Sequence, residues 1–132
     1  QPGLLLVECR GSERFRIEHS ELLRHGLWVA DVKLLPAEPE LPLPDDLQPA
    51  ARALQRVYAG LQAHAGPVQP PPEDSHRFDD CGWVANRWSE LLPLPLQLKQ
   101  RLLALESPLL RLELVMDLLE RNGLTGPDDE PG

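Results

Sequence analysis

Apolar positions in this chain follow two rhythms. Up to about residue 35 they come in short runs or alternate with polar positions, and beyond residue 44 they recur every three or four places. Leu4-Leu5-Leu6-Val7 is an apolar run, Phe15-Arg16-Ile17 alternates, and Leu27-Trp28-Val29-Ala30-Asp31-Val32-Lys33-Leu34 places Trp28, Ala30 and Val32 opposite Val29 and Asp31. At most three strands are predicted, with Arg10-Gly11-Ser12 as a turn or bulge. Pro36, Pro39, Pro42 and Pro44 then interrupt any ladder or helix, because each removes a backbone donor and fixes φ.

Four helices are predicted after this connector. The first starts at Asp45 or Asp46, carries Leu47, Ala51, Leu54, Tyr58 and Leu61 as one stripe, and stops near Ala65-Gly66-Pro67. Residues 66–77 hold Pro70-Pro71-Pro72 and are predicted as an exposed loop. The second helix starts near Asp79 or Asp80, buries parts of Trp83, Val84, Trp88, Leu91 and Leu92, and ends at Pro93. The third runs from about Pro95 to Leu105 with Leu98, Leu102 and Leu105 on one face. Ser107-Pro108 opens the fourth, whose stripe is Leu109, Leu112, Met116 and Leu119 and whose end is marked by Asn122-Gly123. The pattern therefore predicts an α+β chain. A partial antiparallel β lobe spans residues 1–40, a helical lobe resembling a four-helix bundle spans 41–126, and a disordered acidic tail fills 127–132.

Composition narrows the function. With 132 residues the chain can bury one modest core, and with 42% hydrophobic but only 5% aromatic residues leucine must fill it. A formal net charge of −8 sets most of the surface against a phosphate backbone, so nucleic acid is not an expected partner. No apolar run approaches the roughly 20 residues of a membrane span, so no membrane partner is expected and a cytoplasmic location is. Cys9 and Cys81 lack the histidine spacing of a zinc site and read as two free thiols.

The candidate chemistry is equally sparse. No glycine is followed by lysine as a phosphate-cradling loop requires, and Lys33 and Lys99 read as surface charges rather than as the base of a Ser–Lys pair. His19, His25, His64 and His76 fall in predicted loops or element ends and read as solvated, while Asp45-Asp46 and Asp79-Asp80 precede helices as caps. No catalytic residue, cofactor or metal ligand is expected. Trp83 and Trp88 lie about 140° apart on a helix, so one is expected in the core and the other partly exposed at a groove. Trp28, Trp83 and Trp88 are the candidate polypeptide contacts, weighed against simple packing between lobes. Asn86 and Arg87 are candidates for bracing the lobe junction, Arg87 through its planar fork, weighed against an exposed polar face.

Two blocks carry a family resemblance. Val84-Ala85-Asn86 leading to Glu90-Leu91-Leu92-Pro93-Leu94-Pro95 and Lys99-Gln100, then Arg111-Leu112-Glu113, resembles the helical part of the Lon protease amino-terminal domain and of stand-alone proteins built on it. Val7-Glu8-Cys9-Arg10-Gly11-Ser12-Glu13-Arg14-Phe15-Arg16-Ile17 and Ala30-Asp31-Val32-Lys33-Leu34-Leu35-Pro36-Ala37-Glu38 resemble its strands, with Cys9-Arg10 inserted before the glycine. The resemblance spans residues 3–124 apart from the loop at 66–77. It implies that the β lobe is the remnant of a PUA-like pseudo-barrel and that the chain is the carboxy-terminal part of such a domain, from a stand-alone member of the family. It also implies recognition of unfolded or tagged polypeptides without catalysis. Strands without neighbours expose unpaired backbone groups, so two copies are expected to associate through residues 4–35. The rival readings are an interaction module for one dedicated protein partner and a PUA-like RNA binder, the second resting on fold analogy alone.

Overall fold

A β-bulge decides which side chains of the first strand share a face. In the computed structural model, which describes residues 3–64, 66 and 68–125, β1 (Phe15–Leu22) pairs antiparallel with β2 (Trp28–Leu34), and the register shifts by one residue between Ile17 and His19. Without that shift the alternation of side chains would put His19 and Glu21 beside Ile17. With Glu18 as the extra residue, Leu22 instead pairs with Trp28 on the face that carries Phe15 opposite Leu34 and Ile17 opposite Val32. The other face takes Arg16 opposite Lys33 and His19 opposite Asp31. The strands are joined by a tight turn in which Leu23 N–H donates to Leu27 O at 2.8 Å, and Gly26 supplies the left-handed φ of 89° that this corner needs. The ion pair between Arg14 and Glu38 at 3.4 Å and the bond from Leu35 N–H to Arg14 O at 2.8 Å close its base.

Two expectations are corrected here. Among the described residues the sheet has two strands, and Leu4–Val7 forms none: these four side chains are 64–94% exposed. An apolar run becomes a strand only where a neighbour pairs it, and no strand is beside it here. His19 lies within β1 rather than in a loop.

The chain divides into this hairpin unit, Gln1–Glu38, and a helical unit, Pro39–Gly132; the acidic tail predicted at 127–132 lies outside the described residues. A 3-10 turn at Asp45–Leu47 leads into α1 (Gln48–Ala63), followed by α2 (Cys81–Leu91), α3 (Leu96–Ala104) and α4 (Pro108–Arg121). The predicted starts of α2 and α4 and the stop of α4 hold because they rest on local chemistry, whereas Asp45 and Asp46 lie in the 3-10 turn and neither caps α1 with its side chain, correcting that expectation. Asp80 caps α2 by accepting from Trp83 N–H at 3.2 Å, and Ser107 caps α4 by accepting from Leu110 N–H at 3.2 Å. Gly123, with φ of 69°, ends α4 as Leu124 N–H reaches back to Leu119 O at 2.9 Å.

Asp80 has a second role. Its other oxygen accepts from Leu41 N–H at 3.0 Å, and Cys81 N–H donates to Leu41 O at 2.8 Å, so the proline-rich connector is fastened to the start of α2. Burial pushes the Cys81 thiol above its usual range and the Asp80 carboxylate adds to the shift, leaving this side chain a protonated, inert part of the core.

The core joins Leu47, Ala50 and Leu54 to Val84, Ala85 and Trp88, and these to Leu102, Leu112, Val115 and Leu119. One charged side chain lies inside it. Arg111 is 1% exposed, and its guanidinium donates to Leu102 O at 2.8 Å, to Leu105 O, and to Asn86 Oδ1 at 3.4 Å. Carbonyls at the end of a helix have no partner within the helix, so α3 presents acceptors where Arg111 of α4 presents donors. One side chain thereby ties the end of α3 and the start of α4 to the middle of α2.

Two outcomes follow from this core. Arg111→Met strands these carbonyls and lowers the unfolding free energy by about 3 kcal/mol, and Arg111→Lys does not restore it because an ammonium cannot fork between separated acceptors. Urea denaturation followed by circular dichroism measures both, and a change below about 0.5 kcal/mol would contradict the assignment. Tyr58 is the single tyrosine, and burial pushes its pKa up to about 12 while the Arg87 charge pulls the other way. Its contribution to stability is therefore fully present below pH ~10, the unfolded value, and is lost as pH rises through about 12. Phenolate absorbance should titrate well above 10 in the folded chain and return to about 10 in urea.

Candidate functional site

The helix spacing of α2 sorts its side chains onto two faces. Val84, Ala85 and Trp88 point into the core, and Trp83, Arg87, Glu90 and Leu91, at intervals of three and four, form a neighbouring stripe. Arg87 lies over the Trp83 ring at 5.9 Å from its centroid and stands 3.6 Å from Glu90 through Nε. That Nε is buried and has no hydrogen-bond acceptor.

The loop after α1 folds back to make the opposite wall. His76 Nε2 donates to Pro71 O at 2.9 Å, Ser75 Oγ donates to Pro72 O at 2.6 Å, and Gln62 on α1 donates to Glu73 at 3.2 Å. His76 is therefore not a solvated histidine, correcting the expectation. Its ring packs 5.2 Å from Tyr58, 5.1 Å from Phe78 and 5.7 Å from Trp83, within an aromatic cluster where Phe78 meets Trp83 edge-on at 5.2 Å. Nor is the segment merely an exposed loop: it includes a 3-10 turn at Glu73–Ser75 and forms a strap along α1.

Between strap and helices runs a groove of about 500 Å³. Leu61 and Leu91 supply apolar surface over the buried Tyr58, Val68, Pro70 and Pro71 line it from the strap, and Arg87 and Glu90 place one charge of each sign in it. A larger depression of about 760 Å³ lies on α3, but all its lining residues come from that single helix, so it is an open helix face with one wall. Among the described residues no group of three His, Cys, Asp or Glu side chains is placed to hold a metal, and no helix is long and apolar enough to cross a membrane.

The structure separates the sequence candidates. Trp83 is half-buried beside the groove, next to Arg87. Trp88 is only 3% exposed, with its indole N–H donating to Ala50 O at 2.9 Å, so it is the core member of the pair and has no surface for a polypeptide to touch. Trp28 belongs to the hairpin unit and is 66% exposed on its apolar face. Asn86 faces Arg111 inside the helical unit, whereas Arg87 faces the groove. The sequence alone does not bring Tyr58, Glu90 and the strap together as parts of one site. The spacing of Trp83, Arg87 and Glu90 was a usable signal; the return of the strap was not, because its anchors lie on separate elements.

The chain matches the family model of the ATP-dependent protease La (LON) substrate-binding domain over residues 2–121. It is also similar to a solved structure, the Lon N-terminal domain protein from Xanthomonas campestris, at 27% sequence identity and a TM-score of 0.64. The match covers 82% of this chain and 53% of that one, so this chain spans about half the length of that relative. No curated protein matches. A two-stranded antiparallel sheet with four α-helices makes the class α+β, consistent with the solved relative. The family is a non-catalytic, substrate-binding region of the protease, and with the match extending over nearly the whole chain, this protein belongs to the LON substrate-binding domain family.

Proposed function

We propose that this chain is a recognition module that binds unfolded or tagged polypeptide, without cutting it, in the groove between α1, α2 and the proline strap. The observation that carries the reading is that groove, with its wall of Leu61 and Leu91 over the buried Tyr58, in a chain of a substrate-binding family. An unfolded segment offers apolar side chains that a folded protein keeps inside, and apolar contact takes them with little discrimination. The module works in the cytoplasm in this reading. Arg87 and Trp83 are its contact residues; Asn86 supports them from behind through Arg111.

The hairpin favours a second surface. Phe15, Ile17, Leu22, Trp28, Val32 and Leu34 share one face and all are exposed. A two-stranded sheet is marginal until such a face is covered. A protein partner covers it in this reading, either a dedicated one or a second copy of the chain associating through residues 4–35.

Two measurements check these readings. Tryptophan fluorescence in a Trp28→Phe background, which leaves Trp83 beside the groove and Trp88 in the core, should shift saturably with a reduced, permanently unfolded protein and stay unchanged with the same protein folded. Replacing Leu61 by Asp should weaken that binding about tenfold by placing a charge in the apolar wall; equal response to folded and unfolded forms would count against the module. In sedimentation, micromolar chain should exceed its 14.8 kDa monomer mass and Trp28→Asp should return it to monomer. A monomer at every concentration leaves the second-copy reading without support.

A further inference from the structure

Resting on the polypeptide-binding reading of the groove, we infer that its Arg87–Glu90 pair grips the main chain of the bound segment: Arg87 donates to a peptide carbonyl and Glu90 accepts a peptide N–H. The occupant is an extended, uncharged apolar segment, held by its backbone while one side chain enters the space beside Tyr58, Leu61 and Leu91.

The charge arrangement selects this occupant. A ligand carboxylate would meet Glu90 beside Arg87, within a chain of formal net charge −8, and a ligand ammonium would meet Arg87. A peptide group carries both an acceptor and a donor and no net charge, so it answers the two side chains together. Arg87 has capacity for it. Its side chain is 32% exposed in the groove, its buried Nε has no acceptor, and Glu90 at 3.6 Å is beyond hydrogen-bond reach. A donor left without an acceptor is costly, and an occupant that draws the pair together relieves that cost.

The proline stretch of the opposite wall offers the peptide no donor. Pro70, Pro71 and Pro72 have no N–H, and Pro71 O and Pro72 O are already taken by His76 and Ser75. Along Pro70-Pro71-Pro72 the strap therefore cannot pair with a peptide as a neighbouring strand would, since strand addition needs alternating donors and acceptors on the edge. It serves as a stiff apolar wall, and the polar contacts come from the α2 side.

The test uses anisotropy of a labelled, end-blocked peptide rich in Leu and Val with Ser for solubility, titrated with the full chain. Two companion peptides have the same sequence with every second backbone nitrogen methylated, or with Asp in place of Ser. Methylation removes N–H donors while keeping the side chains, and it should weaken binding about tenfold, the equivalent of one hydrogen bond to a charged group. The Asp peptide should bind more weakly still. Glu90→Gln should reduce the penalty for Asp, and Arg87→Ala should weaken the parent peptide about tenfold with circular dichroism unchanged. Parent and methylated peptides binding alike, with Arg87→Ala equal to the natural chain, would overturn main-chain recognition and leave polypeptide binding standing. No binding by any of the peptides would overturn both.

Discussion

A guanidinium inside a small core must find acceptors for its N–H groups or the fold loses several kcal/mol. Arg111 finds them at the point where α3 ends and its last carbonyls have lost their helical partners. The two needs cancel, and the match fixes more than either helix alone. It sets where α3 stops, how α4 lies across it, and, through Asn86, how α2 meets both. α2 and α4 are closely packed neighbours in the helical unit, and the stripe of Trp83, Arg87 and Glu90 is held on the other side of α2. The groove is thus built on a helix that Arg111 fastens to α3 and α4.

The second constraint is the fastening of irregular chain. Fifteen prolines would leave long stretches without backbone bonds if nothing else held them. Asp80 holds the connector by accepting from Leu41 while it caps α2, and His76 holds the strap by donating to Pro71 while its ring joins Tyr58, Phe78 and Trp83. In each case one side chain meets a local need and a distant one. The strap wall of the groove is held by these side-chain bonds to α1 and to the aromatic cluster.

What could be read from the sequence follows from the range of each signal. The helix starts at Asp80 and Ser107-Pro108 and the stop at Gly123 are signals within one turn, and they hold. The stripes of α1 and α4 hold because core packing repeats the helical period. Arg111 was not legible: beside Leu112 it looks like an ordinary charge, and only the end of α3 explains its burial. The apolar run at Leu4–Val7 misled because a strand needs a partner that the run itself does not contain. The bulge at Glu18 changes a register that alternation alone cannot fix. Of the site, the α2 half was present in the spacing, and the strap half required the folded path of residues 68–76.

The groove beside Arg87, on the helices that Arg111 fastens, is the proposed seat of unfolded polypeptide. Amide hydrogen exchange of the full chain with and without a reduced, permanently unfolded protein tests it most directly. Added protection is expected in the second half of α1, around Leu61, at Val68 and Gln69 of the strap, and in α2 near Leu91, with α3 unchanged. Protection confined to β1 and β2, or none anywhere at saturating partner, would contradict it.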